Sequence, residues 1–195
     1  MIEQDLATVR LALSPNVARS EVGAFFIRIT WVLRSLEEGS VDEPYEEVWS
    51  DRNGIDAAFY VEDDLVGVHY LTLEAQPGKR IESLVGRVRA GLNVLDSLDV
   101  VTWVREASTL EERAVAAGHL GLATESPDSA VIAAFRELLL GESIDSVVRK
   151  AALVSSAYAA WEELDGVLSA VASSDPDREV RAVARRVLRS VRRSR

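Results

Sequence analysis

The sequence predicts a mostly α-helical protein in which two helices and a small β-hairpin lead into a short stack of antiparallel helices. Three observations carry that expectation. Apolar residues recur at intervals of three and four over most of the 195-residue chain. Only two adjacent runs are rich in Phe, Tyr, Val and Thr, the composition of strands. Three segments of the second half repeat one another at intervals of 36 and 32 residues.

The elements follow in order. A first helix is expected from Ile2 to Leu13, and a longer one from Ser20 to Leu36. In the second, Val22, Phe25, Phe26, Ile29, Val32, Leu33 and Leu36 draw one stripe, with Ile27 and Trp31 beside it and Gly39 as a stop. From Glu37 to Asp64 eleven acidic residues stand against the single base Arg52, and Pro44, Asn53 and Gly54 mark turns, so this segment reads as an acidic loop. Two strands follow, Ala57 to Glu62 and Leu65 to Leu73, joined at Asp63-Asp64. A lone hairpin is marginal in water and must pack on helices or on another chain. Beyond Gln76-Pro77-Gly78 only helices are expected. The first carries the stripe Ile81, Leu84, Val85, Val88, Leu92, Leu95, Leu98. Shorter ones follow at Val100–Glu106, Leu110–Leu122, Asp128–Leu140, Ile144–Ala160, Glu162–Ala172 and Arg178–Val191. Ser126-Pro127 reads as an N-cap, and Thr109 with Glu112 has capping-box spacing. Short connections favour antiparallel neighbours. Residues 1–98 and 99–195 are the two expected regions.

The repeat aligns Thr109–Ala116, Asp145–Ala152 and Asp177–Ala184, each with an Arg (113, 149, 181) and an Ala three residues later. Val148-Arg149 and Val180-Arg181 recur as a pair. This pattern resembles the HEAT-repeat family over the C-terminal half, and the resemblance is strongest from Ser174 to Leu188. The first unit departs from it, with Thr109 and Glu112 where the family has Asp and Val. The physical sense is independent of the name: Asp145 near a helix start suits the dipole and is placed to pair with Arg149 one turn on. The small alanines permit close helix approach. The resemblance implies a stack of two-helix units that serves as a binding scaffold.

Composition narrows the function. No cysteine is present, which excludes disulfides, thiolate metal sites and Cys nucleophiles. His69 and His119 are alone in their surroundings, and no His-Glu-x-x-His, Gly-x-Ser-x-Gly or phosphate-loop spacing occurs. A non-enzymatic protein with no cofactor and no metal is therefore expected. Met1–Asp5 lacks the basic start of a secretory signal, and no apolar run reaches membrane-spanning length, so the cytoplasm is the expected location. All but two of the 22 basic residues are arginine, which reports a GC-rich, bacterial kind of source rather than a mechanism.

Net charge is −10, but it is polarised. Residues 175–195 hold eight Arg against three acids, a net of +5, leaving −15 on the remainder. Acidity over the body argues against nucleic acid and for a protein partner with a basic surface. The candidate partner-binding residues are Asp42, Glu43, Tyr45, Glu46, Glu47, Trp49, Tyr60, Asp63 and Asp64 in the acidic segment and hairpin, with Arg185 and Arg189 on the last helix. Carboxylates steer a basic partner and aromatic residues among them supply anchors. The expected function is a protein-interaction scaffold or inhibitor. An immunity or antitoxin-like protein covering a basic toxin is one concrete version, and a HEAT-like nucleic-acid-binding or repair protein using the terminal arginines is the alternative. A homodimer joined through hairpin edges is the plainest reading of all.

Overall fold

A computed structural model of the chain describes residues 6–40, 43–63 and 66–194. They form two compact units divided between Leu95 and Asp96. The first contains β1 (Ala7–Ala12), α1 (Arg19–Arg28), β2 (Val32–Glu37), β3 (Tyr45–Ser50), β4 (Ala57–Asp63), β5 (Val68–Ala75) and α2 (Lys79–Gly91). Its five strands make one antiparallel sheet in the order β1-β5-β4-β3-β2. This corrects the expected fold class. The chain is a mixed α/β protein, not a mostly α helical-repeat stack preceded by two helices and a small hairpin.

Of that expectation the β4–β5 hairpin stands, and three further strands join it. Each was hidden for a physical reason. In β1, Val9 and Leu11 alternate with Thr8 and Arg10, a period-two pattern too short to stand out against the helical reading of Ile2–Leu13. In β3, Tyr45, Glu47 and Trp49 share one face, so the alternation is written with a buried acid where an apolar residue is expected. The expected helix Ser20–Leu36 ends early because Thr30 takes a left-handed backbone (φ 66°). The Thr30 N–H donates to Ile27 O and the Trp31 N–H to Phe26 O, both 2.9 Å, and Trp31 stacks back on Phe26 at 5.3 Å between centroids. That is a Schellman stop with its accompanying apolar contact. Val32, Leu33 and Leu36, the tail of the helical stripe, therefore lie on β2.

The sheet's covered face carries Leu11, Trp49, Ala58, Tyr60, Leu71 and Leu73, and Val22, Phe25 and Phe26 of α1 with Ile81, Leu84 and Val88 of α2 close the same core. Glycine is the preferred residue where Schellman geometry needs positive φ, and a β-branched residue there is strained. Thr30→Gly is therefore expected to raise the stability of this unit by about 1 kcal/mol. A denaturant midpoint that does not rise would contradict that strain.

The second unit is helical: α3 (Ser97–Glu106), α4 (Leu110–His119), α5 (Ser129–Leu140), α6 (Ser146–Ala159), a 3₁₀ turn (Glu162–Leu164), α7 (Asp165–Ser174) and α8 (Arg178–Ser194). The helices pack as the pairs α3–α4, α5–α6 and α7–α8. Across pairs, α3, α5 and α7 neighbour one another in one layer, and α4, α6 and α8 in the other. Side chains cap most of the helix starts. Asp96 accepts from the Asp99 N–H at 2.9 Å, Thr109 from Glu112 at 3.1 Å, Asp128 from Ala130 at 2.7 Å and Asp145 from Val147 at 2.8 Å. The cap of α5 is thus Asp128 rather than the expected Ser126-Pro127. Glu112 also accepts from the Ser108 N–H at 3.0 Å.

The repeated arginines all play the same part, since each donates to a carbonyl of the turn before its own helix. Arg113 reaches Ala107 O at 3.4 Å, Arg149 reaches Ile144 O, and Arg181 reaches Asp175 O and, at 3.1 Å, Pro176 O. The expected pairing of Asp145 with Arg149 gives way to this arrangement. Asp145 is occupied as a cap, and Arg149 is buried against Asp175 instead (Nε–Oδ2 2.9 Å, Nη2–Oδ1 3.2 Å). Among the described residues no helix is long and apolar enough to cross a membrane.

Candidate functional site: the acidic edge of the sheet

The acidic segment read from the sequence as a loop is largely strand, and the pleat sorts its residues. Across β3 and β4 the register sets Tyr45 opposite Glu62, Glu47 opposite Tyr60 and Trp49 opposite Ala58, all facing the helices. Tyr45, Glu47, Trp49, Tyr60 and Glu62 are each at least nine-tenths buried. Tyr45, Trp49 and Tyr60 therefore stand in the core, not among the surface carboxylates. Buried carboxylates need donors, and these have them. Glu47 accepts from Tyr45 Oη at 2.6 Å and from Trp49 Nε1 at 2.8 Å. Glu62 accepts from Tyr60 Oη at 2.5 Å and from Arg19, the first residue of α1. The Arg19 guanidinium also lies 3.6 Å from the centroid of the Tyr45 ring.

The electrostatics follow from this packing. Burial pushes the Glu62 carboxyl up, but the hydrogen bonds from Arg19 and Tyr60 outweigh it and hold the group below the ordinary carboxylate range. Burial, then the bond to Glu47, pushes the Tyr45 phenol up to about 12. The same causes, burial and then the bond to Glu62, push Tyr60 above its ordinary range. The hydrogen bond to Glu62 keeps Arg19 more firmly protonated than a free arginine. Every carboxylate oxygen of this network has a donor, so its role is to clamp the start of α1 onto β3 and β4.

A depressed carboxyl contributes stability above its unfolded-state pKa and loses it as pH falls through the folded value. Glu62→Gln is accordingly expected to cost about 2 kcal/mol at pH 7, the scale of a hydrogen bond to a charged group, and less at about pH 3. A penalty independent of pH would contradict the charged clamp.

The other described candidate acids of this segment are at the surface. Glu43 is exposed, and Asp63 at the end of β4 and Glu46 are partly exposed; Asp42 and Asp64 lie outside the described residues. Glu46 sits directly opposite Glu37 of β2. Partial burial, then the charge of Glu37, raises the Glu46 carboxyl above its ordinary range. Like charges directly opposite on neighbouring strands are destabilising.

The feature that sequence reasoning misses is β2 itself. It is an outer strand of the sheet, and all six of its residues are exposed. Leu33 is 41% and Leu36 47% accessible, beside Val32 at 44%. The sheet's other edge differs. Residues 93–95 run along β1, with the Ser14 N–H donating to Asn93 O and the Leu95 N–H to Ala12 O, both 2.9 Å. At β2 the guard is a register shift between Leu33 and Ser35, where Arg34 folds back to donate to Ser50 Oγ at 2.7 Å and to Asp51 O at 3.1 Å. β2 itself, Val32-Leu33-Arg34-Ser35-Leu36-Glu37, carries little strand signal, since only Val32 is β-branched.

Arg185 and Arg189 lie on α8 in the helical unit. Arg185 Nε donates to Ala172 O at 3.2 Å and so satisfies the end of α7, while Arg189 borders a shallow recess with Arg186, Ser190 and Arg193. Among the described residues no group of three or more His, Asp or Glu is arranged to hold a metal ion. Comparison of the chain with family models, with curated proteins and with solved structures returned no match.

Proposed function

We propose that this protein is an interaction module that captures a basic protein partner by letting one of its strands add to β2. The observation that carries the reading is the open edge: an outer strand with Leu33 and Leu36 exposed, ending at the opposed pair Glu37 and Glu46. A strand edge offers unpaired N–H and C=O groups as a template for another chain. The two leucines offer apolar contact, and a lysine or arginine reaching Glu37 and Glu46 relieves their repulsion. Residues 1–95 carry 16 acids against nine bases, so the wider field of this unit attracts the same partner. Tyr45, Glu47, Trp49 and Tyr60 act behind this edge, holding it in place. The module works in the cytoplasm as a scaffold or inhibitor, and occupation of a basic toxin surface in the manner of an immunity protein is one form of it. By its resemblance to HEAT repeats, the second unit is assigned a supporting or second binding role.

The test is capture from extracts of the source cell by the wild type and by the double variant Glu37→Gln/Glu46→Gln, followed by hydrogen exchange on the complex. Loss of the like-charge pair leaves the variant at least as stable as the wild type, so misfolding does not confuse the result. A basic protein held about tenfold more weakly by the variant, with β2 amides protected in the complex, is the expected outcome. Equal capture and unprotected β2 amides would refute the reading. A salt-insensitive dimer of the chain itself would reassign the edge to a second copy.

A further inference from the structure

The last helix, α8, turns a strongly basic face to solvent. Arg178, Arg185, Arg186, Arg189, Arg192 and Arg193 are all exposed. At about 100° of rotation and 1.5 Å of rise per residue, these six fall within an arc of about 120° along about 22 Å of helix. Val180, Ala184, Val187, Leu188 and Val191 are buried on the opposite side, where α8 packs on α7 and α6. The one acid of α8, Glu179, is held by Lys150 (Nζ–Oε2 3.1 Å). Among the described residues none of the six arginines is in an ion pair. Arg186, Arg189 and Arg193 share the recess at Ser190, whose walls contain no carboxylate.

The make-up of this face selects its partner. A protein partner needs apolar or aromatic anchors at the centre of the contact, and Ala182 is the only apolar residue among the exposed ones of α8. A membrane surface needs an apolar face to take up, and that of α8 is already spent on the core of its own unit. Interfaces with nucleic acid are instead polar and rich in positive charge. Duplex DNA carries one negative charge per about 1.7 Å of axis. From Arg185 to Arg193 the helix sets five cations over about 12 Å, one per about 2.4 Å, a comparable density of opposite sign. No aromatic residue occurs on α8 to stack on a base, so the outside of a duplex fits better than a single strand.

We infer that the exposed face of α8 binds the phosphate backbone of double-stranded DNA without reading its sequence. Arg186, Arg189 and Arg193 donate to phosphate oxygens at the recess they share, and Arg178, Arg185 and Arg192 extend the contact along the helix. The chain's net charge of −10 opposes approach, so the affinity is that of non-specific binding. This surface belongs to the second unit and does not rest on the reading of the β2 edge.

Fluorescence anisotropy of a labelled duplex of about 20 base pairs, titrated with the whole chain from about 25 to 200 mM salt, tests the inference. The expected Kd is about 10 μM at about 50 mM salt and is the same for two unrelated sequences. The logarithm of the binding constant is expected to fall with that of salt at a slope of about −4, the counterion release of four or five phosphates. Arg186→Gln/Arg189→Gln/Arg193→Gln changes three exposed side chains, so the thermal midpoint is expected to stay in place. The same variant is expected to bind at least about tenfold more weakly at about 50 mM salt, with a slope between about −1 and −2. No saturable binding at about 25 mM salt, or an unchanged slope in the variant, would overturn the inference. Equal affinity for a poly-glutamate peptide would overturn the assignment to DNA, and equal affinity for the single strand would overturn the assignment to a duplex. Self-association in place of DNA binding, lost in the variant, would overturn the inference and give the face to the acidic surface of a second copy.

Discussion

Replacing Arg149 by methionine is expected to destabilise the helical unit by about 3–5 kcal/mol, the cost of leaving one member of a buried ion pair alone. Arg149 and Asp175 are 9% and 8% exposed; Nη2 donates to Oδ1 at 3.2 Å, and Nε lies 2.9 Å from Oδ2 as an ion pair. The pair ties α6 to the connection between α7 and α8. Arg149 also donates to Ile144 O, so the substitution strips a donor from the turn ahead of α6 as well. For a unit of this size such a loss lowers the thermal midpoint by roughly 15–25 °C. The second substitution separates the pair from its parts. Asp175→Asn keeps an acceptor for the Asp177 N–H, which Asp175 holds at 2.8 Å, while removing the buried charge. Arg149→Met/Asp175→Asn is therefore expected to be more stable than the sum of the single changes by at least about 2 kcal/mol. Additive losses in that cycle would show that Arg149 acts through packing and its bond to Ile144 O rather than through Asp175.

The same residues show what the sequence could reveal and what it could not. The helices from 97 to 194 are legible because each has an apolar stripe and most have a capping residue, and those signals are local. Arg149 is visible as a repeated position, yet helical spacing points to Asp145, one turn away, as its partner. The actual partner is 26 residues on, and only the packing of α6 against the α7–α8 connection brings it near. In the first unit the β4–β5 hairpin is legible from its aromatic and β-branched residues. The other three strands are not. Seven apolar residues at helical spacing run from Val22 to Leu36, but one left-handed residue, Thr30, divides them between a helix and an outer strand. Glu47 and Glu62 read as surface charge, since nothing local says that a tyrosine, a tryptophan and an arginine will meet them. Of the candidate site, Glu43 and Glu46 lie at the surface as expected, whereas the exposed edge that gives them a setting depends on sheet order, which no single segment encodes.

Gly121→Ala is expected to cost the helical unit about 3 kcal/mol or more, because there is no room for a methyl group. A Cβ on residue 121 would lie 1.9 Å from the Ser155 carbonyl oxygen and 2.9 Å from its carbon. Both are backbone atoms of α6, so relief requires moving a helix rather than turning a side chain. The close approach is also used: the Gly121 N–H donates to Ser155 Oγ at 2.8 Å, and Ser155 is fully buried. Pushing the turn away breaks that bond and leaves a buried donor unsatisfied, a further penalty of about 1–3 kcal/mol. Ser155→Ala isolates this second effect, since it removes the acceptor without adding volume, and is expected to cost about 1–2 kcal/mol. The steric share is then the difference between the two variants in denaturant midpoint of the helical unit. Equal losses would mean that α4 and α6 separate freely at this point and that the hydrogen bond alone sets their distance. A loss in Gly121→Ala at least twice that in Ser155→Ala is the result expected if backbone contact fixes the spacing of the layer that holds α4, α6 and α8.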